Sequence, residues 1–175
     1  MIIKAEIINQ PLSGDMQERI FHFDSEWNSH NWTFVKFYRD DGLVWCGHFR
    51  GSPNCVEVSL TYQTVIVLTS DYLIQIDSNT EEIIEIEDSF QYRNLTLAPD
   101  ESLIIADYMN VEKFTNNIKQ KTLIESPIEM DFIEFKKWNE NKLEFTCQEF
   151  VYWEKNYLMT YDYKSNLIEI KKLIK

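Results

Sequence analysis

Ile83-Ile84-Glu85-Ile86 returns almost unchanged as Leu167-Ile168-Glu169-Ile170, 84 positions further along the chain. Each copy follows a turn-rich segment, residues 77–82 in the first case and residues 162–166 in the second. Between the two copies, Leu123-Ile124-Glu125 begins 40 positions after Ile83. Self-similarity at a period of this size is typical of a protein built from copies of one supersecondary unit. The repeat therefore predicts an architecture, but it says nothing about chemistry.

The segments within one period have the residue pattern of β-strands. Val56-Glu57-Val58-Ser59-Leu60 alternates with period two, as a strand with one solvent-facing side does. Thr64-Val65-Ile66-Val67-Leu68-Thr69 is a continuous, largely β-branched run, which suits a strand buried on both faces. Together with the apolar segments at residues 72–77 and 83–87, they predict a four-stranded antiparallel meander.

The whole chain divides into four such units, at approximately residues 1–50, 51–90, 91–127 and 128–175. A chain of 175 residues with 44% hydrophobic residues is long enough to form one domain that buries about two-thirds of its unfolded surface. Because the chain has only four Gly and four Pro, we expect Asn, Asp and Ser side chains to close most turns. We predict a single all-β domain of repeated four-stranded meanders of about 40 residues.

Residues 95–106, Leu95-Thr96-Leu97-Ala98-Pro99-Asp100-Glu101-Ser102-Leu103-Ile104-Ile105-Ala106, resemble the first hairpin of a blade in the WD40-like β-propellers. In that family an apolar strand leads through a Ser/Ala-Pro-Asp-Gly turn into a second apolar strand. The hairpins at residues 76–86 and 161–170 resemble the outer hairpin of such blades. Glu101 stands where the family's turn has Gly, and no Trp-Asp dipeptide is present. The resemblance implies a small, four-bladed β-propeller-like fold, a fold that hosts many unrelated functions.

The alternative fold is another all-β barrel or sandwich with one or two short helices. Three sets of apolar residues have the spacing of a helix face. They are Leu12, Met16 and Ile20; Val111, Phe114 and Ile118; and Ile128, Phe132 and Phe135. If all three segments were helical, the propeller interpretation would be wrong.

The acidic character of the chain limits its possible partners. The formal net charge is −12 and the isoelectric point is about 4.7. Nucleic-acid binding depends on Lys and Arg side chains that neutralise phosphates, so this chain is a poor candidate for it. The negative charge either serves to keep the protein soluble or forms an acidic face that attracts a basic partner.

The cysteines and the hydropathy pattern predict a cytoplasmic protein. Cys46, Cys55 and Cys147 are an odd number without a Cys-x-x-Cys pair, which argues against a disulfide framework. The first residues lack the long apolar core of a signal peptide. No apolar run approaches the ~20 residues that span a bilayer, so we expect no membrane association.

Two regions of the first unit supply the candidate binding residues. His22, Asp24 and Glu26 alternate, so on a strand their side chains would share one face. Because no second cluster with metal-ligand spacing accompanies them, we predict no metal and no cofactor. Trp27 lies among polar residues and is the strongest candidate for a contact residue on a loop. Trp32 is more typical of a core, but it stays a candidate.

His48 is the last of the candidates, and it alternates with Cys46 onto one strand face. This pattern is compatible with a Cys/His nucleophile, but no surrounding signature supports one, so we interpret the segment as a strand with a buried Cys. Residues 138–153 alternate charged and aromatic side chains. They fit either a wet aromatic face rimmed by acidic groups or an ordinary amphipathic strand pair, and we interpret them as the strand pair.

The sequence contains no phosphate-binding Gly loop, nucleophile elbow or dinucleotide fingerprint. We therefore expect a non-enzymatic protein-binding module. A sharper hypothesis is an immunity or antidote protein that masks a basic partner, since acidic complementarity speeds such association.

The alternative is a small-molecule or sugar-binding protein, or a weak hydrolase, with a central tunnel lined by His22, Asp24, Trp32 or His48. A further alternative is a piece that completes a larger ring by oligomerisation, and the sequence leaves the oligomeric state open.

Overall fold

A computed structural model describes residues 1–21, 23, 29–88 and 91–174 of the chain. The described residues form sixteen strands in four sheets, and each sheet contains four strands that are consecutive in the chain. No helix occurs among these residues, so none of them belongs to a helix long and apolar enough to cross a membrane. The all-β prediction is confirmed, and the four sheets of four strands are consistent with a small four-bladed propeller-like fold.

The first sheet contains β1 (Ile2–Ile8), β2 (Gln17–Phe21), β3 (Trp32–Arg39) and β4 (Val44–Arg50). Its strand order is β1-β3-β4-β2, and β2 runs parallel to β4, so this unit is not a simple meander. Contacts of β2 with β4 explain its edge position, because the Phe21 ring stacks on Phe49 with a centroid distance of 4.7 Å.

The second sheet is the meander that the sequence predicts. It contains β5 (Pro53–Ser59), β6 (Thr64–Thr69), β7 (Tyr72–Asp77) and β8 (Ile83–Asp88), each paired antiparallel with the next. All six residues of β6 are buried. This agrees with the β-branched run that predicts a strand covered on both faces.

The third sheet is a meander of short strands: β9 (Asn94–Leu97), β10 (Leu103–Ala106), β11 (Val111–Phe114) and β12 (Thr122–Ile124). The turn between β9 and β10 is the one that resembles the WD40 hairpin. Glu101, which replaces the family's Gly, has a φ of 61°, so this residue adopts the left-handed conformation that Gly adopts without strain.

The fourth sheet has the longest strands. It is a meander of β13 (Met130–Asn139), β14 (Lys142–Glu149), β15 (Tyr152–Asp162) and β16 (Leu167–Ile174). Register shifts interrupt the pairing of β13 with β14, between Asp131 and Glu134 and again between Phe135 and Lys137. These β-bulges place extra residues in β13 and therefore disturb its side-chain alternation.

None of the three apolar patterns forms a helix in the described residues. In the third pattern Phe132 is exposed, whereas Ile128 and Phe135 pack partly buried against the core of unit 2, so the three residues do not share one face. Met130 and Ile133 are both buried although they are three residues apart, because a bulge at Phe132 (φ 51°) separates them. Gln17–Phe21, Val111–Phe114 and Met130–Asn139 are all strands. Ile118 lies outside β11, so its four-residue spacing from Phe114 does not reflect a shared helix face.

Short acceptor side chains close the turns, as the scarcity of Gly predicts. The carboxylate of Asp77 accepts hydrogen bonds from the backbone N–H groups of Asn79 and Thr80, both at 2.8 Å. Asp107 makes the same pair of bonds in the β10–β11 turn, at 2.7 and 2.6 Å. Asp162 repeats the arrangement between β15 and β16. In the first sheet, Asp41 accepts from the backbone N–H of Leu43 at 3.1 Å in the β3–β4 turn, so an Asp side chain helps to close a turn in each of the four sheets.

The contacts of the chain divide it into two compact units. Unit 1 comprises Met1–Phe90 with Asn116–Ile118 and contains the first two sheets; unit 2 comprises Gln91–Thr115 with Lys119–Lys175 and contains the other two. Each of the four predicted segments encloses the strands of one sheet. That the chain forms one domain stays a prediction.

Each unit has its own hydrophobic core. In unit 1 the core is rich in stacked rings, and Phe37 and Trp45 lie 4.3 Å apart between centroids. Its buried members are Ile2, Val35, Phe37, Trp45, Phe49, Val65, Val67, Tyr72, Ile74 and Ile76. The core of unit 2 comprises Ala98, Ile104, Ala106, Val111, Ile124, Met130, Ile133, Leu143, Phe145, Cys147, Met159, Tyr161 and Ile168.

A buried carboxylate links the two sheets of unit 1. Glu81, in the β7–β8 turn, is only 4% exposed and forms ion pairs with Arg19 and Arg39, each at 2.7 Å. Both arginines belong to the first sheet, on β2 and β3. In the same unit, the buried Gln75 side chain donates to Asn116 O at 2.8 Å and accepts from Ile118 N at 3.2 Å. These bonds hold the 116–118 segment on unit 1.

A neutral amide links the two sheets of unit 2. The Asn94 side chain on β9 donates to Ile133 O at 3.0 Å and accepts from Phe135 N at 2.9 Å. The indole N–H of Trp138 donates to the Thr96 hydroxyl at 3.0 Å beside it. The two bulges of β13 leave backbone groups available for Asn94, because a bulge interrupts ladder pairing.

Candidate interaction surface

Most of the candidate residues from the sequence lie where the structure gives no description. His22, Asp24, Glu26 and Trp27 fall outside the described residues. Their role in binding therefore stays a prediction. In the part of the chain that the structure describes, no group of three or more His, Cys, Asp or Glu side chains is placed to hold a metal ion.

The structure places Trp32 and His48 on the same face of the first sheet. Trp32 pairs in register with Arg50, whose guanidinium lies 4.0 Å from the centroid of the indole ring. His48 pairs with Phe34 in an edge-to-face contact, with 4.8 Å between the ring centroids. Its Nε2 also lies 3.1 Å from the Glu18 carboxylate, although without hydrogen-bond geometry. Both side chains are thus engaged within unit 1, and ligand binding by them stays a prediction.

The cysteines are poor nucleophiles in this environment. Burial raises the pKa of the Cys46 thiol to about 11, with a smaller contribution from Glu18. Burial likewise raises the pKa values of Cys55 and Cys147 to about 12. Because the thiolate is the reactive form, these pKa values argue against thiol chemistry near neutral pH. The interpretation of residues 46–48 as a strand with a buried Cys is supported.

The most exposed aromatic group of the described chain is the connection between β14 and β15. Residues 150–153 are consecutive and bulky, and Phe150, Val151, Tyr152 and Trp153 are 39, 65, 51 and 64% exposed. We call these four residues the aromatic tip. Exposed apolar runs of this kind are uncommon on soluble proteins, and where they occur they are frequently interaction sites.

The backbone of β14 and β15 explains why the aromatic tip points away from the core. Val151 has a φ of 72°, a left-handed conformation in which a β-branched residue is an outlier. Gln148 pairs with Asn156 but Glu149 pairs with Tyr152, so residues 153–155 are extra on β15. A bulge of this kind bends its strand and changes where the side chains point. Strain of about 1–3 kcal/mol persists only where surrounding structure maintains it, and it is concentrated at functional sites.

Polar contacts hold the base of the aromatic tip. The Glu149 carboxylate accepts from Lys155 Nζ and from the Tyr157 hydroxyl, both at 3.0 Å. The hydrogen bond from Lys155 holds the pKa of Glu149 below its usual value, and the same bond raises the pKa of Lys155. Lys155 Nζ also lies 4.3 Å from the centroid of the Tyr152 ring. The lysine nearest the tip is therefore already neutralised by a carboxylate.

A second exposed group lies in the same unit, around the β10–β11 turn. Tyr108 and Phe132 make an edge-to-face contact at 5.9 Å, and Ile133 N donates to Tyr108 O at 3.3 Å. Phe132 and Met109 are both exposed. Because Asp131 pairs with Gln148, Phe132 lies at the end of the fourth sheet that also carries the aromatic tip. Unit 2 thus presents two aromatic groups at one end of that sheet.

The sequence interpretation of residues 138–153 was half right. The segment is a strand pair, as expected, but its last four residues are not an ordinary amphipathic strand because all four are exposed. One signal was available in the sequence: Phe150, Val151, Tyr152 and Trp153 follow each other without a polar residue at a strand connection. Connections of this kind ordinarily consist of polar residues, Gly or Pro.

Comparison of the chain with known proteins gives no match by sequence and a distant match by structure. No protein-family model matches it, and no curated protein matches its sequence. Among solved structures, it is similar to the crystal structure of the WD40 domain of SCAP from fission yeast, at 10% sequence identity and a TM-score of 0.33. The match covers 99% of this chain and 37% of that chain. The resemblance seen in the sequence and this structural match are both to WD40 proteins.

Proposed function

We propose that this protein is a non-enzymatic binding module whose aromatic tip contacts a partner protein with a basic surface. The observation that carries the proposal is the exposure of all four residues 150–153. Tyr and Trp are over-represented among the residues that dominate binding energy at protein interfaces. A large ring loses little conformational freedom when a partner covers it, so an exposed Trp is well suited to this role.

The charge of the chain supports a basic partner. The net charge is −12, and Glu125, Glu129 and Glu154 are exposed in unit 2. Phe150 N donates to the backbone carbonyl of Glu129 at 2.9 Å, and Glu154 follows Trp153 in the chain, so both residues lie next to the aromatic tip. Glu125 lines the same pocket as Glu129. A surface potential of one sign accelerates association with a surface of opposite sign and makes that rate sensitive to salt.

The test is affinity capture with three forms of the protein. The first is the wild type, the second carries Tyr152→Ala and Trp153→Ala, and the third carries Leu12→Ala and Leu43→Ala. Leu12 and Leu43 are 76 and 60% exposed in unit 1, so the third form removes similar exposed apolar surface elsewhere. Each form is used to capture proteins from the native lysate at low and at moderate salt, and the captured proteins are quantified by mass spectrometry.

We expect the wild type and the unit 1 variant to capture the same basic protein in stoichiometric amounts. The tip variant should bind it roughly 30-fold more weakly, because removal of an interface hot spot costs about 2 kcal/mol. Rising salt should reduce capture by all forms. Equal capture by the tip variant would overturn the proposal, and so would the absence of any partner at both salt concentrations.

A narrower form of the proposal is that the partner is a basic toxin domain, which the protein masks as an antidote. It requires a toxin gene beside the gene for this protein. Co-expression should then restore the growth of cells that produce the toxin, and the tip variant should fail to do so. If the tip variant restores growth as well as the wild type, masking does not use this surface.

A further inference from the structure

A pocket of about 340 Å³ lies beside the aromatic tip in unit 2. Its apolar wall consists of Met109 from the β10–β11 turn, Leu123 and Ile124 from β12, Ile128, and Met130 at the start of β13. The side chains of Met109 and Leu123 are 43 and 55% exposed, whereas Ile124 and Met130 belong to the core. The pocket is thus a concave apolar surface that is open to solvent at one side.

Hydrogen bonds shape the segments that form the pocket. Asp107 accepts from the backbone of Met109 and Asn110 and so fixes the first wall. In the segment between β12 and β13, Ser126 Oγ accepts from Ile128 N at 3.4 Å, and the backbone carbonyl of Glu129 accepts from Phe150 N at 2.9 Å. The second of these bonds connects the pocket to the aromatic tip. A pocket held by its own backbone is formed before a ligand arrives, which lowers the entropic cost of binding.

The charged residues that line the pocket are acidic, and Asn110 and Ser126 are its neutral polar residues. Glu125 and Glu129 both line it, and no Lys, Arg or His does so. Within residues 1–21, 23, 29–88 and 91–174, neither carboxylate forms an ion pair with a basic side chain. Two uncompensated negative charges at an apolar pocket favour a ligand that has both an apolar part and a positive charge.

We propose that this pocket receives a lysine or arginine side chain of the partner protein. The aliphatic stem lies against Met109, Leu123 and Ile128, and the cationic group bonds to Glu125 and Glu129. Long basic side chains commonly bury their stems along apolar surface while the charged end keeps polar partners. This inference rests on the proposed function, because it names the chemical group that the basic partner inserts next to the aromatic tip.

Other side chains fit the pocket less well. An apolar side chain would cover two carboxylates without giving them a hydrogen-bond donor, and that desolvation is unfavourable. An acidic side chain would be repelled by the same two charges. A basic side chain satisfies the carboxylates and the apolar wall together, so it is the occupant that the lining selects.

The experiment uses the methionine methyl groups as reporters. The protein has five methionines, and two of them, Met109 and Met130, line the pocket, whereas Met1, Met16 and Met159 do not. Protein labelled with ¹³C at the methionine methyl groups is titrated with N-acetyl-arginine amide, and with N-acetyl-lysine amide in a parallel series. N-acetyl-citrulline amide is the control ligand, because it keeps the stem of arginine but carries no charge.

We expect saturable shifts of the Met109 and Met130 resonances with the basic probes and small shifts with the citrulline probe. The double variant Glu125→Gln/Glu129→Gln should weaken the response to the basic probes at least about tenfold and leave the response to citrulline unchanged. The inference is wrong if all five resonances shift alike, if none shifts, or if citrulline binds as well as arginine.

The double variant also separates this inference from the proposed function. In the affinity capture, loss of the partner with both the tip variant and the Glu125→Gln/Glu129→Gln variant supports both proposals. If the tip variant loses the partner while the double glutamine variant keeps full affinity, the pocket inference fails and the proposed function stands. If neither variant changes capture, the proposed function fails as well.

Discussion

Units 1 and 2 are each built from two four-stranded sheets, but they differ in what they bury and what they expose. Unit 1 stacks its rings inside, as in the contact between Phe37 and Trp45. Its described exposed apolar residues are all aliphatic: Ile3, Leu12, Ile20, Leu43, Leu60 and Ile84. In unit 2 the exposed apolar residues include Tyr108, Phe132, Phe150, Tyr152 and Trp153. The exposed aromatic surface of the described chain therefore belongs to unit 2.

The units also differ in the polar groups that join their sheets. Unit 1 uses a buried carboxylate between two arginines, and unit 2 uses an amide that bonds to the backbone. A buried ion pair is sensitive to the loss of one partner, because the remaining charge stays behind without compensation. A neutral amide has no such charge. The same architecture is therefore stabilised in two ways that respond differently to mutation and to salt.

The largest expected effect is that of Glu81→Ala in unit 1. We expect a loss of about 2–3 kcal/mol in the free energy of unfolding, because Arg19 and Arg39 lose the carboxylate that joins them. The loss stays below that of a fully buried charge, because both arginines are about a third exposed and Arg39 keeps its ion pair with Asp41. Urea denaturation measures this loss, and hydrogen exchange should show it in β1 to β8 before β9 to β16. Glu82→Ala is the control, since Glu82 is exposed in the same turn and its loss should cost less than about 0.5 kcal/mol. Equal losses of stability in the two variants would contradict the role of Glu81 as a link between the two sheets.

The next effect is that of Asn94→Leu in unit 2. We expect a loss of about 2 kcal/mol, because Ile133 O and Phe135 N are left without the partner that Asn94 provides. Thr96→Val, which removes the hydroxyl that accepts from Trp138, should cost about 1 kcal/mol. Raising the salt concentration should reduce the Glu81→Ala effect but leave the Asn94→Leu effect unchanged. If both effects respond to salt alike, the distinction between a charged and a neutral link is wrong.

A smaller effect is expected from Glu57→Gln, again in unit 1. Burial raises the pKa of Glu57 to about 7 from its ordinary value of 4.5, and the Cys55 thiol lies 4.0 Å from its carboxylate. Between these two pH values, Glu57 is protonated in the folded protein but ionised in the unfolded chain. The contribution of Glu57 to stability therefore falls as pH rises from about 4.5 to 7. We expect the glutamine variant to be about 1–2 kcal/mol more stable than the wild type at pH 8.

That gain should disappear at pH 4.5, where Glu57 is protonated in the folded protein. Thermal unfolding of both proteins across this pH range measures the difference. Glu82→Gln, on an exposed residue of the same unit, should show no such pH-dependent gain. A constant difference between wild type and Glu57→Gln at every pH would contradict a raised pKa.

The smallest effect is expected from Val151→Gly in the aromatic tip. Gly adopts a φ of 72° without the strain that a β-branched residue has there, so we expect a gain of about 0.5–1 kcal/mol in stability. Partner capture should fall at the same time, because a more flexible connection holds Tyr152 and Trp153 less firmly. Denaturation and capture on the same variant measure both changes. A loss of stability would mean that the Val151 side chain contributes packing that outweighs its strain.

Much of the fold could be predicted because the signals are local. The buried strand Thr64–Thr69 and the turns closed by Asp77, Asp107 and Asp162 depend on residues close together in the chain. The exceptions have non-local causes. The edge position of β2 depends on contacts with β4, and Met130 and Ile133 are both buried at a three-residue spacing because a bulge lies between them.

The candidate site could not be predicted to the same degree. The sequence directed attention to residues 22–32 and to His48, whereas the largest exposed aromatic group of the described chain is at residues 150–153. Trp32 and His48 share a sheet face, which strand alternation allows, but their contacts with Arg50, Phe34 and Glu18 depend on pairing between strands. No local pattern states which partner a side chain meets.

The all-β class, the division into four four-stranded segments and the turn chemistry follow from the sequence alone, because strand periodicity and turn geometry depend on a few neighbouring residues. Which aromatic side chains are covered follows from tertiary packing. Phe145 and Phe150 lie five residues apart in similar surroundings in the sequence, yet Phe145 is fully buried and Phe150 is exposed. Burial depends on which distant residues pack over a strand face and on where a bulge reorients that face. Neither can be predicted from the neighbouring residues in the sequence.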